Sequence, residues 1–182
     1  MSRKITKLKL AYADGKIPNY IYPKEYDEHK RFILGHKGER PLVVIGMNPS
    51  AAREEYSDRT VNKVIRISEL RKHDGWFMLN IYPERSTEQK DLDEYNDVLS
   101  KENCEVIIHF LKNNGIKEVW GAWGDLKHPT LLQAKKMLLK KLRENNISIY
   151  YFGTLTKAKN PRHPLYMNRK LFVDNSNKHI YK

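Results

Sequence analysis

The stretch Leu42-Val43-Val44-Ile45-Gly46-Met47-Asn48-Pro49-Ser50 decides how the rest of the chain is interpreted. Its β-branched apolar run predicts a buried strand. The glycine, asparagine and proline that follow predict a sharp turn, because proline has no N–H for a sheet ladder. Open α/β sheets bind their ligands at the carboxyl ends of parallel strands. We therefore expect Asn48 to be a site residue, although Asn48 and Ser50 fit equally well as caps of a following helix.

Further apolar segments alternate with helical patterns after this strand. Three more strands are predicted, over residues 76–82, 118–124 and 148–152. Helices are predicted between them, over residues 60–72, 93–113 and 129–145. This alternation implies right-handed crossovers and a parallel sheet that is covered on both faces. The predicted fold is a single α/β domain over residues 1–182, a three-layer sandwich with a central parallel sheet of about four strands.

The two ends of the chain fall outside this alternation. Residues 1–30 begin with alternating apolar and basic residues and predict a hairpin or an extended arm. Residues 153–182 predict a basic loop segment with one short helix. In this segment Pro161 and Pro164 hold His163 in a rigid turn after the last strand. A lone loop histidine is usually a surface residue, but we expect this one to lie at the same sheet edge as Asn48 and Asn80.

Positive charge is concentrated in the last third of the chain. The sequence has 34 Lys and Arg against 22 Asp and Glu, a net charge of +12. Residues 127–182 hold 13 of these basic residues and only Glu144 and Asp174 as acids, a net charge of +11. Such an imbalance predicts binding to a polyanion such as nucleic acid. The alternative is a lysine-rich solvated helix face without a partner.

The composition excludes several classes of protein. No apolar run approaches the roughly 20 residues that span a bilayer, and the basic start has no apolar region after it. We therefore expect a cytoplasmic protein without membrane contact. The single cysteine, Cys104, excludes an intrachain disulfide and a cysteine-ligated metal or iron–sulfur site. Neither a metal nor a cofactor is expected.

Five short motifs in chain order carry a resemblance to a known family. They are Gly46-Met47-Asn48-Pro49-Ser50, Ser57-Asp58-Arg59-Thr60, Asn80 at a strand end, Ala122-Trp123-Gly124 and His163-Pro164-Leu165-Tyr166. From about Arg31 to Tyr166 the chain resembles the bacterial and phage family DUF1643, which has no known function. The order of the motifs is more distantly similar to the uracil-DNA glycosylase superfamily. There, Gly-x-x-Pro follows the first strand, an asparagine ends the second, and His-Pro follows the last.

The superfamily resemblance implies a role for each matching residue. Asn48 matches the position that orients the attacking water in mismatch-type members, Asn80 the base-reading asparagine, and His163 the histidine that supports the departing base. Further base contacts are expected from Met47, Pro49, Ser50 and Tyr56, with Tyr56 standing in for a stacking aromatic that has no secure match. Contacts to DNA phosphates are expected from Lys157, Lys159, Arg162, Arg169 and Lys170.

The expected function is that of a uracil-DNA-glycosylase-like protein that binds DNA. Hydrolysis of the N-glycosidic bond of a flipped base stays open, because the first motif lacks an aspartate and Leu165 replaces the small residue usual after His-Pro. One alternative is a catalytically inactive module that binds DNA or a protein. Another is an enzyme that acts on free nucleosides or nucleotides. The expected partners are DNA with uracil or a mismatch and, by the resemblance, an acidic DNA-mimicking glycosylase inhibitor.

Overall fold

The computed structural model describes residues 10–182, and within them it has one seven-stranded sheet and three α-helices. The strands are β1 (Tyr20–Tyr22), β2 (Ile33–His36), β3 (Pro41–Gly46), β4 (Gly75–Asn80), β5 (Glu118–Gly121), β6 (Ser148–Phe152) and β7 (Lys178–Ile180). The helices are α1 (Arg59–Leu70), α2 (Asp97–Asn113) and α3 (Pro129–Glu144). Short 3-10 helices lie at Gln89–Asp91, Pro164–Tyr166 and Arg169–Phe172. The fold is mixed α/β.

The sheet has a parallel centre and antiparallel edges. The strand order is β1-β2-β4-β3-β5-β6-β7. Strands β4, β3, β5 and β6 are parallel to one another, and β1, β2 and β7 are antiparallel to their neighbours. The parallel centre consists of the four strands predicted from the sequence. The whole sheet has seven strands rather than about four. The three edge strands are only three or four residues long, so the sequence offers no periodicity that predicts them.

Successive residues of the central strands face two different cores. Ile45 and Leu79 pack with residues of α2 and α3. Val44 and Met78 pack with residues of α1 and of the C-terminal segment. The central strands are thus buried on both sides, which explains why β3 and β4 are continuous apolar runs in the sequence.

The chain leaves β3 and β5 in opposite directions. From β3 it passes through α1 to β4, and from β5 it passes through α3 to β6 on the other side of the sheet centre. The loops after these two adjacent strands diverge, and open α/β sheets bind ligands at such a switch point of the topology. Residues 47–58 and 122–128 therefore border the expected ligand position.

Several element boundaries differ from the prediction. Helix α2 begins at Asp97 rather than near residue 93, because the side chain of Asn96 accepts a hydrogen bond from the Leu99 N–H and caps the helix. Strand β5 ends at Gly121 rather than at residue 124. Helix α1 is capped by the side chain of Asp58, which accepts from the Val61 N–H at 2.8 Å.

Both chain ends add strands to the sheet. The antiparallel pair at the N-terminal side is formed by β1 and β2, so it extends beyond the predicted arm over residues 1–30. The part of that prediction that falls on residues 1–9 lies outside the described residues. The C-terminal segment over residues 153–182 is not all loop, because it ends in β7, which pairs with β6. Within residues 10–182, each helix is too short or too polar to cross a bilayer.

Candidate functional site

Asn48 lies two residues beyond β3, where residues 46–49 run beside residues 81–86 past the end of the sheet. Its side-chain nitrogen donates to three backbone carbonyl oxygens, those of Ser86 at 2.8 Å, Pro49 at 3.1 Å and Glu84 at 3.4 Å. Because carbonyls only accept hydrogen bonds, these contacts fix which end of the amide is nitrogen. Within the described residues, Oδ1 of Asn48 accepts no hydrogen bond. It therefore presents an acceptor for a water molecule or a ligand.

The alternative role of Asn48 and Ser50 as helix caps is wrong. The next helix, α1, begins at Arg59 and is capped by Asp58. The backbone carbonyl of Ser50 instead lies 3.4 Å from the Arg85 guanidinium. The turn after β3 is therefore a loop of its own, held by contacts with the neighbouring loop.

Asn80 is the last residue of β4 and pairs with Gly46 at the end of β3. Its side chain is only 1% exposed. A methyl group on Gly46 would stand 3.1 Å from Oδ1 of Asn80, so the glycine leaves room for this amide. Nδ2 of Asn80 is buried and has no hydrogen-bond partner among residues 10–182. A buried donor without an acceptor destabilises the folded state by about 1–3 kcal/mol. The expected partner of this nitrogen is therefore a water molecule or a ligand.

His163 begins the 3-10 helix at Pro164–Tyr166. Its Nδ1 accepts from the N–H of Leu165 at 3.4 Å, so a neutral ring carries its proton on Nε2. Burial lowers the pKa of His163 below its usual value, and the Asp58 carboxylate partly opposes this effect. The ring is therefore neutral at pH 7 and presents an Nε2–H donor.

Gly124 holds His163 against the end of β5. Its φ angle is +72°, and its N–H donates to the Pro161 carbonyl at 2.9 Å. A Cβ at this position would stand 3.0 Å from the Cβ of His163. The loop that carries His163 thus packs directly on the residues after β5. Asn48, Asn80 and His163 accordingly lie beyond or beside the carboxyl ends of β3, β4 and β5.

Asp125 is an exposed carboxylate at this edge that sequence reasoning missed. Its Oδ1 accepts hydrogen bonds from the Thr156 hydroxyl and, at 3.1 Å, from the Asn160 amide. These two donors lower the pKa of Asp125, so the group is ionised at neutral pH. The Gln89 side chain donates to the Asp125 carbonyl at 3.0 Å and so links the loop after β4 to the loop after β5. An isolated loop aspartate gives no sequence signal of such a network.

Asn160 fixes the other side of the same loop. It is 5% exposed, and its Oδ1 accepts from the Trp123 indole N–H at 3.2 Å and from the Lys135 ammonium at 2.7 Å. The segment that leads to His163 is therefore anchored to the loop after β5 and to α3 through one buried amide.

The other residues predicted to contact the base have mixed surroundings. Met47 packs against the core on the side of α2 and α3, and Pro49 is buried. Tyr56 is half-buried, and its ring lies 5.6 Å from the Arg53 guanidinium. Their predicted contacts with a base therefore remain predictions.

The residues predicted to bind phosphate lie mostly on the surface. Lys157, Lys159, Arg169 and Lys170 are exposed, and Arg162 is half-buried with its Nε 3.0 Å from the Thr154 carbonyl. Tyr166 lies between them in the sequence and is 83% exposed. A basic surface with one projecting aromatic ring therefore adjoins His163.

A family model described as a protein of unknown function (DUF1643) matches residues 31–165. The chain belongs to the DUF1643 family. The matched range of this DUF1643 protein contains the parallel centre of the sheet and the three residues Asn48, Asn80 and His163. No curated protein and no solved structure matches the chain.

Proposed function

We propose that this DUF1643 protein binds DNA and hydrolyses the N-glycosidic bond of a base flipped into the carboxyl edge of its sheet. The observation that carries the proposal is that the contacts of two side chains at that edge fix which of their free atoms accepts and which donates a hydrogen bond. Asn48 presents an acceptor because its nitrogen is held by three carbonyls. His163 presents an Nε2–H donor because its Nδ1 accepts from the backbone and burial keeps it neutral.

This polarity suits the charges that develop when an N-glycosidic bond breaks. The bonding electron pair leaves with the base, a water oxygen bonds to the sugar carbon, and the water proton neutralises the base. Asn48 Oδ1 would accept from that water, and His163 would donate to a base carbonyl that becomes negative. The unpartnered Nδ2 of Asn80 would donate to the base edge. The ionised Asp125 would stabilise the positive charge on the sugar.

The basic surface supports a nucleic acid as the substrate. The exposed lysines and arginines of residues 157–170 would hold phosphates, and the face of Tyr166 would stack on a base. The three-layer arrangement and a glycosylase-like fold belong to this proposal. They are supported by the packing of α1 on one side of the central strands and of α2 and α3 on the other.

A second candidate function is a DNA-binding or protein-binding module without catalysis. It is favoured by the burial of Asn80, which is 1% exposed and so must be uncovered before it can touch a base. In that case the protein binds DNA, or an acidic DNA-mimicking protein on the same surface, and releases no base.

The deciding experiment is incubation with oligonucleotides that carry uracil, mismatched or alkylated bases, followed by alkali cleavage. The wild-type protein is expected to release at least one of these bases, and Asn48→Ala and His163→Ala are expected to release far less. His109→Ala is the matched control, because His109 is exposed on α2. DNA binding without release of any base would reject the enzyme and support the module. Release from free nucleosides without salt-dependent DNA binding would instead indicate a small-molecule enzyme.

A further inference from the structure

Two buried arginines lie at the carboxyl edge beside the residues already described. Arg31 precedes β2, and Arg85 follows β4. Strand β2 is antiparallel to β4, so the start of one and the end of the other meet at the same edge. The two residues are only 2% and 5% exposed. Arginines buried to this degree are normally paired with carboxylates, because an unpaired buried charge is costly.

Neither of these guanidinium groups has a carboxylate partner among residues 10–182. Arg31 Nη1 donates to the carbonyl of Ala52 at 2.6 Å. Arg85 Nε donates to the carbonyl of Asp27 at 2.9 Å, and its Nη1 lies 3.4 Å from the carbonyls of Ser50 and Ala52. These acceptors are all neutral. Nε of Arg31 is buried and has no hydrogen-bond partner within the described residues.

A third guanidinium increases the positive charge. Arg53 stacks on the ring of Tyr26 at 3.9 Å, and Arg85 lies 5.2 Å from the same ring. Burial and the neighbouring Arg85 lower the pKa of Arg31 to about 10, and Asp58 opposes this shift. The Asp58 carboxylate is already occupied by the N–H groups of Val61 at 2.8 Å and Ala52 at 3.4 Å.

We propose that Arg31 and Arg85, with the half-buried Arg53 beside them, form a binding site for a phosphate group. Guanidinium forks match the oxygens of phosphate, and several buried positive charges favour the dianion of a terminal phosphate. The site adjoins Asn48, because the carbonyls of Glu84 and Ser86 on either side of Arg85 accept from the Asn48 amide. The proposal goes beyond the glycosylase reaction and stands even if no base is released.

The first test is thermal unfolding of the full chain in inorganic phosphate and in sodium chloride of equal ionic strength. Phosphate should raise Tm by several degrees in a saturable manner, since a ligand that binds only the folded state stabilises it. Equal Tm values in the two salts would overturn the proposal.

Lysine variants test which residues bind the anion. Arg31→Lys and Arg85→Lys keep the charge but remove the fork, so each should weaken phosphate binding at least tenfold. Arg40→Lys is the matched control, because Arg40 is exposed and donates to the Lys72 carbonyl far from this edge. Equal weakening in the control and the buried variants would refute the assignment.

If the buried variants fail to fold, the arginine Nε–H resonances of the wild-type protein provide the test instead. Phosphate should move the resonances of Arg31 and Arg85 but not that of Arg40, and unmoved resonances would overturn the proposal.

The source of the phosphate is tested with paired probes at constant salt. Thymidine 5′-monophosphate is compared with thymidine, and a 5′-phosphorylated oligonucleotide with the same oligonucleotide lacking the phosphate. A preference for either phosphorylated probe that is lost in Arg31→Lys and Arg85→Lys supports the site. It identifies the ligand as a nucleotide or a DNA end. Arginine-dependent binding of inorganic phosphate alone supports the site with free phosphate as its ligand. Absence of arginine-dependent binding for all of these probes refutes the proposal.

Discussion

Gly124→Ala should weaken both the fold and the geometry of the site, and the two effects can be separated. Gly124 has a φ of +72°, where an alanine costs about 1–2 kcal/mol. Gly115 after α2 has a φ of +64°, but a Cβ there would meet nothing within 4 Å. Gly115→Ala is therefore a matched control with the same backbone strain and no new contact. In a domain of this size each variant should lose about 2–8 °C in Tm from this strain.

Only the Gly124 variant should displace His163. The new Cβ would stand 3.0 Å from the Cβ of His163, whereas apolar carbons prefer about 3.5–4.0 Å, so the histidine must move by roughly 0.5–1 Å. A displacement of about 1 Å at a reacting group can cost about 100-fold in rate. The measurements are base release, where it occurs, and the NMR resonances of the His163 ring. Unchanged His163 resonances in Gly124→Ala, or equal changes in Gly115→Ala, would refute the packing argument.

Four other predictions concern the site and the surface. Asn48→Ala and His163→Ala should each lower base release by about 100- to 1,000-fold while DNA affinity stays within about twofold, because they act on charge that develops in the transition state; an equal loss of affinity would contradict this role. Burial lowers the pKa of His163, so its contribution to stability is complete above the ordinary value of 6.5 and is lost as the pH falls below it. Urea unfolding across this range should therefore show a pH dependence that is smaller in His163→Ala, and an identical dependence would exclude the histidine as its source. Asn160→Ala should destabilise the protein by about 2–3 kcal/mol, since it leaves the half-buried Lys135 ammonium and the buried Trp123 indole N–H without their acceptor; a change below about 0.5 kcal/mol in urea unfolding would show that the network contributes little. Replacement of Lys157, Lys159 or Arg162 by alanine should remove a phosphate contact. The slope of the logarithm of the DNA-binding constant against the logarithm of the salt concentration should then decrease in magnitude by about 0.9 for each contact removed. Lys112→Ala is the exposed control, and slopes equal to that of the control would place the DNA elsewhere.

The centre of the fold could be predicted because its signal is local. Strands β3 and β4 are buried on both faces, so each is a continuous apolar run that ends at a turn residue. Strand β7 is Lys178-His179-Ile180, which has no apolar run and exists because β6 offers an open edge. A strand of three residues that forms by pairing with a distant segment has no periodic pattern of its own from which it could be predicted.

The site could be predicted only where a residue follows a recognisable strand. Asn48 and Asn80 were identified in this way. Asp125 was missed because its importance depends on Thr156 and Asn160, which are more than 30 positions away. Arg31 and Arg85 were missed for a different reason. Arginine is normally a surface residue, and no local pattern in the sequence reveals that these two are buried.

Strand β7 has a consequence for the basic segment that precedes it. The Gly153 N–H donates to the Asn177 carbonyl at 2.8 Å, so residues 153–177 form a loop that is closed at its base. Arg71 of the α1 C-cap donates to the carbonyls of Phe172 and Asp174 and ties the far part of this loop to the helix. The conformational entropy of ordering the segment is therefore lost during folding rather than on binding. A polyanion that docks on residues 157–170 meets a surface that is already in place, whereas a free basic tail would lose this entropy at each encounter.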